Sequence, residues 1–188
     1  SSVIRDDDGA REGYFEIVTP RVRTVVRNQF DCQSLEGARL ENHPTSDTEC
    51  FGSHWDERFF YTETMGAIMG ENTNSLSALT LALLEDSGWY KVNYGAAEVS
   101  TFGHGAGCGF VNEPCISDGE VLPYADGFFC NRQLTFDNSG DPVVQPTCDV
   151  TRNHVTACDL VDRGLIGKGP VPKEFQYFPN NTVRKFIV

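Results

Sequence analysis

Apolar residues recur at helical spacing in an early segment of the chain. Thr19 followed by Pro20 is typical of a helix start, because proline fits the first helical position, where an N–H would have no partner. The pattern therefore predicts a helix over residues 20–29. Its apolar positions are Val22, Val25 and Val26, with Phe30 just beyond.

A later segment gives the clearest helical pattern in the chain. Asn74 or Ser75 can cap its N-terminus and Gly88 can end it, which predicts a helix over residues 75–87. The apolar face of this helix is expected to carry Leu76, Leu79, Leu83 and Leu84. Each of these side chains, if fully buried, would stabilise the fold by about 1.5–3 kcal/mol.

The remaining segments lack comparable periodicity. Residues 31–52 are rich in polar and loop-forming residues and predict an irregular loop, and residues 6–9 predict a solvated turn. After Tyr94 the chain becomes rich in Gly, Cys and Pro, as in FGHGAGCGF and GPVPKEFQYF. This change in composition indicates a subdomain boundary between Cys108 and Cys115.

Composition describes a folded and acidic chain. Its 188 residues are 39% hydrophobic and 22% charged, which is typical of a globular protein. A net charge of -12 repels phosphate backbones and anionic lipids, so binding to nucleic acid or to a membrane surface is not expected. No apolar run approaches the roughly 20 residues that a transmembrane helix needs.

Seven cysteines indicate disulfide bonds rather than a zinc knuckle, since no CxxC pair is present. Disulfides persist in oxidising compartments, and the sequon at Asn180 predicts glycosylation. Together they predict a secreted or cell-surface protein. Because seven is odd, at least one cysteine is expected to be free or to pair outside this chain.

Histidine spacing alone does not predict a metal site. His43, His54, His104 and His154 share no i, i+4 spacing, and the HExxH motif is absent from the chain. A hydrogen-bonded surface or core histidine is then the simpler interpretation of each. The absence of a GxSxG elbow and of a P-loop disfavours a serine hydrolase and a nucleotide-binding enzyme.

The segment FDNSGDP has a superficial likeness to a calcium loop. Asp137, Ser139 and Asp141 alternate as calcium ligands do, but Pro142 stands where an EF-hand needs glycine. No glutamate closes the loop. The segment therefore predicts a turn.

Two segments, one following the other along the chain, resemble the leishmanolysin family of metzincin zinc endopeptidases: GSHWDERFFYTETMG and LSALTLALLEDSGWYKVNY. In that family the third zinc ligand is the His of a G-(S/T)-H-W motif, which a methionine turn follows. His54 matches that ligand and Met65 matches the turn methionine. The segments around Cys32, AGCGFVNEPC, FFC and PKEFQYF resemble family segments in the same order.

The resemblance implies a site that this chain completes rather than contains. Zinc would be the metal and His54 one of its ligands, while HExxH would come from an upstream segment or a companion chain. Met65 would lie beneath the metal, although a thioether filling a gap in the core would look the same in sequence. Gly66, Ala67 and Ile68 would border the substrate pocket.

Two functions follow as expectations. In the first, the chain is the C-terminal portion of an extracellular zinc metalloendopeptidase that hydrolyses polypeptides and is inactive without its HExxH segment. In the alternative, it is a non-catalytic structural or adhesive module derived from such a protease. HExxH in the upstream segment or companion chain would distinguish the two.

The resemblance also implies the fold class and part of the disulfide pattern. The expected fold is α+β, with residues 1–110 forming the C-terminal part of a metzincin catalytic domain and residues 111–188 beginning a Cys-rich domain. Cys32 should pair with Cys108. Cys50, near His54, should either pair with a cysteine of the upstream segment or remain a buried thiol.

The cysteines of the Cys-rich half are Cys115, Cys130, Cys148 and Cys158. They are expected to pair among themselves. Three connectivities are possible for four cysteines, and the spacing does not choose between them.

Overall fold

The computed structural model describes residues 2–7, 10–41, 52–67, 74–117, 119–130, 135–143, 146–158, 160–162 and 182–184. The chain forms two compact units, Ser1–Val111 and Asn112–Val188. Short antiparallel strands and helices occur together, so the α+β fold class is confirmed. Assignment of the units to a catalytic and a Cys-rich domain stays a prediction.

A small antiparallel sheet opens the first unit. Strand β1 (Ser2–Asp7) pairs with β2 (Ala10–Ile17), and β2 pairs with β3 (Ala38–Arg39). The predicted turn over residues 6–9 is therefore wrong for residues 6 and 7, because strand pairing extends to Asp7 and Ala10. The predicted irregular loop over residues 31–52 is also wrong in part, because it contains strand β3. Residues 42–51 of that loop lie outside the described residues.

Helix α1 (Pro20–Phe30) confirms the first predicted helix, one residue longer than expected. Val22, Val26 and Phe30 are buried, as amphipathic spacing requires. The helix ends where Asp31 adopts a left-handed conformation with φ of 52°, which lets the Cys32 N–H bond the Arg27 carbonyl at 3.0 Å.

Helix α3 (Ala78–Asp86) starts later than predicted, after the four-residue helix α2 (Glu57–Phe60). Its N-cap is Ser77, whose hydroxyl accepts the Leu79 N–H at 3.0 Å, and not Asn74 or Ser75. Gly88 ends it as expected, with φ of 76°.

The predicted buried face of α3 is also corrected. Its buried residues are Leu79, Thr80, Leu81 and Ala82, whereas Leu76, Leu83 and Leu84 are only partly buried. The run ALTLALL is apolar on nearly every side of the helix, so periodicity cannot select a face. Tertiary packing selects it instead, and Leu76 precedes the helix.

Aromatic side chains form the core of the first unit. Phe30 packs against Phe60 and Phe110, each with ring centroids 5.6 Å apart. Phe102 meets Phe110 edge-on at the same distance. Gly103 lies against these rings, and a Cβ there would come within 2.7 Å of both Phe30 and Phe110. Only glycine fits this position, whose φ is also +69°.

The second unit consists mainly of short hairpins. Helix α4 (Cys108–Asn112) leads into it, and the hairpins are β4–β5 (Ile116–Ser117, Glu120–Val121), β6–β7 (Thr135–Phe136, Pro142–Val143), β8–β9 (Pro146–Cys148, Val155–Ala157) and β10–β11 (Leu160–Asp162, Thr182–Arg184). Its apolar cluster centres on Cys115, Ile116 and Ala125. In the β6–β7 connection the Asp137 carboxylate accepts the N–H groups of Ser139 and Asp141, which confirms the predicted turn.

Two disulfides are present among the described residues, one in each unit. Cys32 is bonded to Cys108, the pair that the resemblance implied. Cys130 is bonded to Cys158. Cys115 and Cys148 are free thiols, so the expected pairing of all four later cysteines is wrong for these two. Cys115 is buried in the apolar cluster while Cys148 is exposed on β8, and Cys50 lies outside the described residues.

Candidate functional site

His54 lies on an extended segment whose backbone is hydrogen-bonded to the end of β3 and to the residues that follow it. The Glu41 N–H bonds the His54 carbonyl at 3.0 Å, and the Asp56 N–H bonds the Arg39 carbonyl at 3.1 Å. Between them Leu40 and Trp55 form an antiparallel bridge. Backbone pairing between residues 39–41 and residues 54–56 therefore fixes the position of the His54 backbone.

Trp55 determines which way this segment faces. Its side chain is fully buried, and its indole N–H donates to the Thr80 hydroxyl at 3.1 Å. Because successive residues of an extended segment point to opposite sides, burial of Trp55 directs His54 outward. The His54 side chain is 46% exposed.

The Met65 turn lies beside the same segment. The Trp55 N–H donates to the Met65 carbonyl at 2.9 Å, and Trp55 forms a parallel bridge with Gly66. The structure therefore brings the His54 and Met65 segments together through backbone contacts. Gly66 is partly buried and Ala67 is exposed, while Ile68 lies outside the described residues.

Glu41 is a site residue that sequence reasoning missed. Its Oε1 atom accepts from His54 Nδ1 at 2.8 Å and from the Ser53 and His54 backbone N–H groups at 3.0 and 3.3 Å. Partial burial alone would raise the pKa of Glu41, but the hydrogen bonds from His54 and Ser53 outweigh it and lower the pKa below its usual value. Glu41 lies in the segment that was predicted to be an irregular loop, where no sequence signal marks it.

A buried polar network lies beneath the Met65 turn. The Thr80 hydroxyl donates to Glu63 Oε2 at 2.8 Å while it accepts from Trp55, so α3 is linked to both site segments. Burial raises the pKa of Glu63, and hydrogen bonds from Ser77 and Thr80 offset this in part. A threonine inside the apolar run ALTLALL is the one sequence signal of this network, since a buried hydroxyl needs a partner.

Asp56 is also buried next to the site. Its carboxylate caps α2 by accepting the Arg58 N–H at 2.9 Å. Burial raises the pKa of Asp56 despite this bond and the nearby charge of Arg58. Its role in the fold is that of an N-cap.

Of the other histidines, His104 and His154 have structural partners. His104 Nδ1 lies 3.5 Å from the Gln29 side-chain oxygen. In the second unit His154 Nδ1 lies 3.1 Å from Asp149, whose carboxylate also accepts the Asn153 and His154 N–H groups. Burial alone would raise the pKa of Asp149, but hydrogen bonds from the Thr151 hydroxyl, His154 and Asn153 lower it to about 2. His43 and Asn180 lie outside the described residues.

The donor set at His54 fits one ligand of a zinc ion. An imidazole nitrogen is a preferred zinc ligand, the ring is half exposed, and Nδ1 is held by a carboxylate. Within the described ranges no three His, Cys, Asp or Glu side chains cluster closely enough to hold a metal. His54 can therefore contribute to a site whose other ligands lie elsewhere.

Comparison with known proteins decides the family. The leishmanolysin family model (peptidase M8) matches residues 9–186. This chain belongs to the leishmanolysin family. The family is one of zinc metallopeptidases, so a metallopeptidase domain and zinc are implied.

Curated relatives agree with this match. A leishmanolysin-like peptidase of Drosophila melanogaster is 36% identical over 94% of this chain and 25% of its own length. One from Drosophila pseudoobscura pseudoobscura is 35% identical with the same coverage. Leishmanolysin of Leishmania donovani is 29% identical over 94% of this chain and 27% of its own length. The chain thus spans about a quarter of the length of these curated relatives.

The α-helices in the described part of the chain are 4 to 11 residues long. None of them is both long and apolar enough to cross a bilayer.

Proposed function

We propose that this chain is the C-terminal portion of a zinc metalloendopeptidase in which His54 is the third zinc ligand. The observation that carries the proposal is the backbone pairing of the His54 segment with the Met65 turn, with Trp55 buried and His54 directed outward. Family membership supplies the reaction class. The HExxH histidines and glutamate are supplied by an upstream segment or a companion chain.

Each residue of the site then has a distinct task. When bound, zinc polarises the scissile carbonyl and lowers the pKa of the attacking water. His54 contributes one imidazole nitrogen, and its outward position lets it reach ligands fixed on another segment. Met65 lies next to the ligand segment, and Gly66, Ala67 and Ile68 border the pocket for a polypeptide substrate.

The proposed location is extracellular or at the cell surface. Two disulfides support an oxidising compartment, and Asn180 is the proposed glycosylation site. Cys50 is proposed to form a disulfide with the upstream segment that carries HExxH. A Cys50 peptide that is alkylated without prior reduction would contradict this cross-link.

The proposal is tested by His54→Ala in the full-length protein. We expect loss of most bound zinc, measured by elemental analysis after dialysis, together with loss of hydrolysis of an unfolded polypeptide. The control is His104→Ala, which removes an exposed imidazole of the same unit and should retain both. Full zinc content and activity in His54→Ala would contradict the proposal, and a wild-type protein without zinc or activity would favour the structural or adhesive alternative.

A further inference from the structure

We propose that Glu41 is a positioning residue that orients His54 for metal binding. The inference rests on the proposed function and adds to it a residue on which ligand geometry depends. Glu41 holds the Nδ1 side of the ring, and this leaves Nε2 as the nitrogen that would bind zinc.

The contacts of Glu41 converge on one oxygen. Oε1 accepts from the His54 ring and from the two successive backbone N–H groups of Ser53 and His54, at 2.8–3.3 Å. The Glu41 N–H also donates to the His54 carbonyl at 3.0 Å. Main chain and side chain of Glu41 thus both bond His54. The carboxylate cannot turn without breaking three hydrogen bonds, and the ring cannot turn without losing its Nδ1 contact.

The charge of Glu41 selects the histidine tautomer. An ionised carboxylate only accepts hydrogen bonds, so the 2.8 Å contact requires the proton to be on Nδ1. A neutral ring then carries its lone pair on Nε2, which is the arrangement a metal needs. Carboxylates in this outer position raise the basicity of the ligand and fix its orientation, and their loss typically weakens metal binding by about 10- to 100-fold.

Gly52 provides the space for this arrangement. A Cβ at position 52 would lie 2.1 Å from Glu41 Cγ and 3.0 Å from both Glu41 Cδ and the Glu41 carbonyl oxygen. The backbone at Gly52 is not in the left-handed region, so alanine there displaces Glu41 without straining φ. Glycine stands at the first position of GSHW because the Glu41 side chain occupies the space that a Cβ would need.

Two substitutions test the inference in the full-length protein. Glu41→Gln keeps the shape but removes the charge, and Gly52→Ala keeps the charge but displaces it. We expect each to weaken zinc binding by about 10- to 100-fold in competition with a chelator. The matched control is Glu98→Gln, which changes an exposed glutamate of the same unit and should leave zinc affinity unchanged.

Thermal unfolding separates positioning from general stabilisation. For Glu41→Gln we expect the zinc-free Tm to stay close to wild type, because the amide oxygen can still accept the Ser53 and His54 N–H groups, whereas Gly52→Ala lowers it through the clash with Glu41. In both variants we expect the rise in Tm on adding zinc to become smaller. A lower zinc-free Tm that accounts for the whole change, or failure of both variants to fold, would show that Glu41 supports the fold and would overturn the inference. Unchanged zinc affinity in both variants would overturn it as well.

The two proposals fail in different ways. If His54→Ala loses zinc but Glu41→Gln and Gly52→Ala bind it normally, His54 is a ligand that Glu41 does not orient. If His54→Ala itself binds zinc as wild type does, the proposed function is wrong, and the inference that Glu41 orients His54 for metal binding is wrong too.

Discussion

Trp55 is the residue around which the candidate site is organised. Its backbone pairs with Leu40 on one side and with Gly66 and the Met65 carbonyl on the other, and its indole reaches Thr80 on α3. A fully buried tryptophan removes a large apolar surface from water, and the hydrogen bond of its indole N–H fixes the orientation of the ring. That orientation leaves the neighbouring His54 at the surface.

Thr80 is predicted to stabilise this arrangement through its hydroxyl. Thr80→Val leaves the Trp55 indole N–H and Glu63 Oε2 without this buried partner, which should cost about 1–3 kcal/mol. Denaturant unfolding followed by tryptophan fluorescence measures the loss. Thr24→Val on α1 removes an exposed hydroxyl and should change stability by less than about 0.5 kcal/mol. Equal losses in the two variants would disprove the buried network's contribution.

At the scale of elements, α1 and α3 are joined by a cap that crosses between helices. Asp86, the last residue of α3, accepts the Arg21 and Val22 N–H groups at 2.8 and 3.3 Å. These are among the N–H groups that a helix leaves unpaired at its start. Asp86 also pairs with the Arg21 guanidinium. Burial alone would raise the pKa of Asp86, but hydrogen bonds from Thr19, Arg21 and Val22 outweigh burial and lower it.

Asp86→Ala is expected to destabilise the first unit by about 1 kcal/mol, the usual cost of losing an N-cap carboxylate. The neighbouring Glu85→Ala provides the comparison, because Glu85 bonds the Arg21 and Tyr94 side chains at the surface. Loss of such an exposed contact should cost between about 0 and 1 kcal/mol. Urea unfolding of both variants decides the question, and a larger loss for Glu85→Ala would show that the interhelix cap contributes little.

At the scale of the whole molecule, each unit contains its own disulfide. The Cys32–Cys108 bond spans a sequence separation of 76 residues and joins the end of α1 to the start of α4. The closed loop contains the His54 segment, the Met65 turn and α3. The Cys130–Cys158 bond spans 28 residues of the second unit.

Removing Cys32–Cys108 with serine at both positions should destabilise the first unit by about 4 kcal/mol in the chain-entropy model. Tryptophan fluorescence reports on this unit, since Trp55 and Trp89 both lie in it. Replacing Cys130 and Cys158 in the same way should leave the fluorescence transition where it is. A shift of equal size in the two double variants would refute independent stabilisation of the first unit.

Local patterns in the sequence determined several features of this protein. Pro20 and amphipathic spacing set the start and face of α1, because both act within one or two helical turns. Gly88 ended α3 for the same reason. The GSHW and Met-turn motifs indicated the family, which the family model then confirmed.

Only the tertiary structure decided the buried face of α3 and the partners of the site. ALTLALL is apolar on nearly every side, so its burial depends on what packs against it. The sequence of a polar segment does not show whether its carboxylate is hydrogen-bonded to water or to a histidine ring. Glu41 could therefore not be predicted as a site residue. Its contact with His54 joins residues brought together by strand pairing, and no local pattern encodes that pairing.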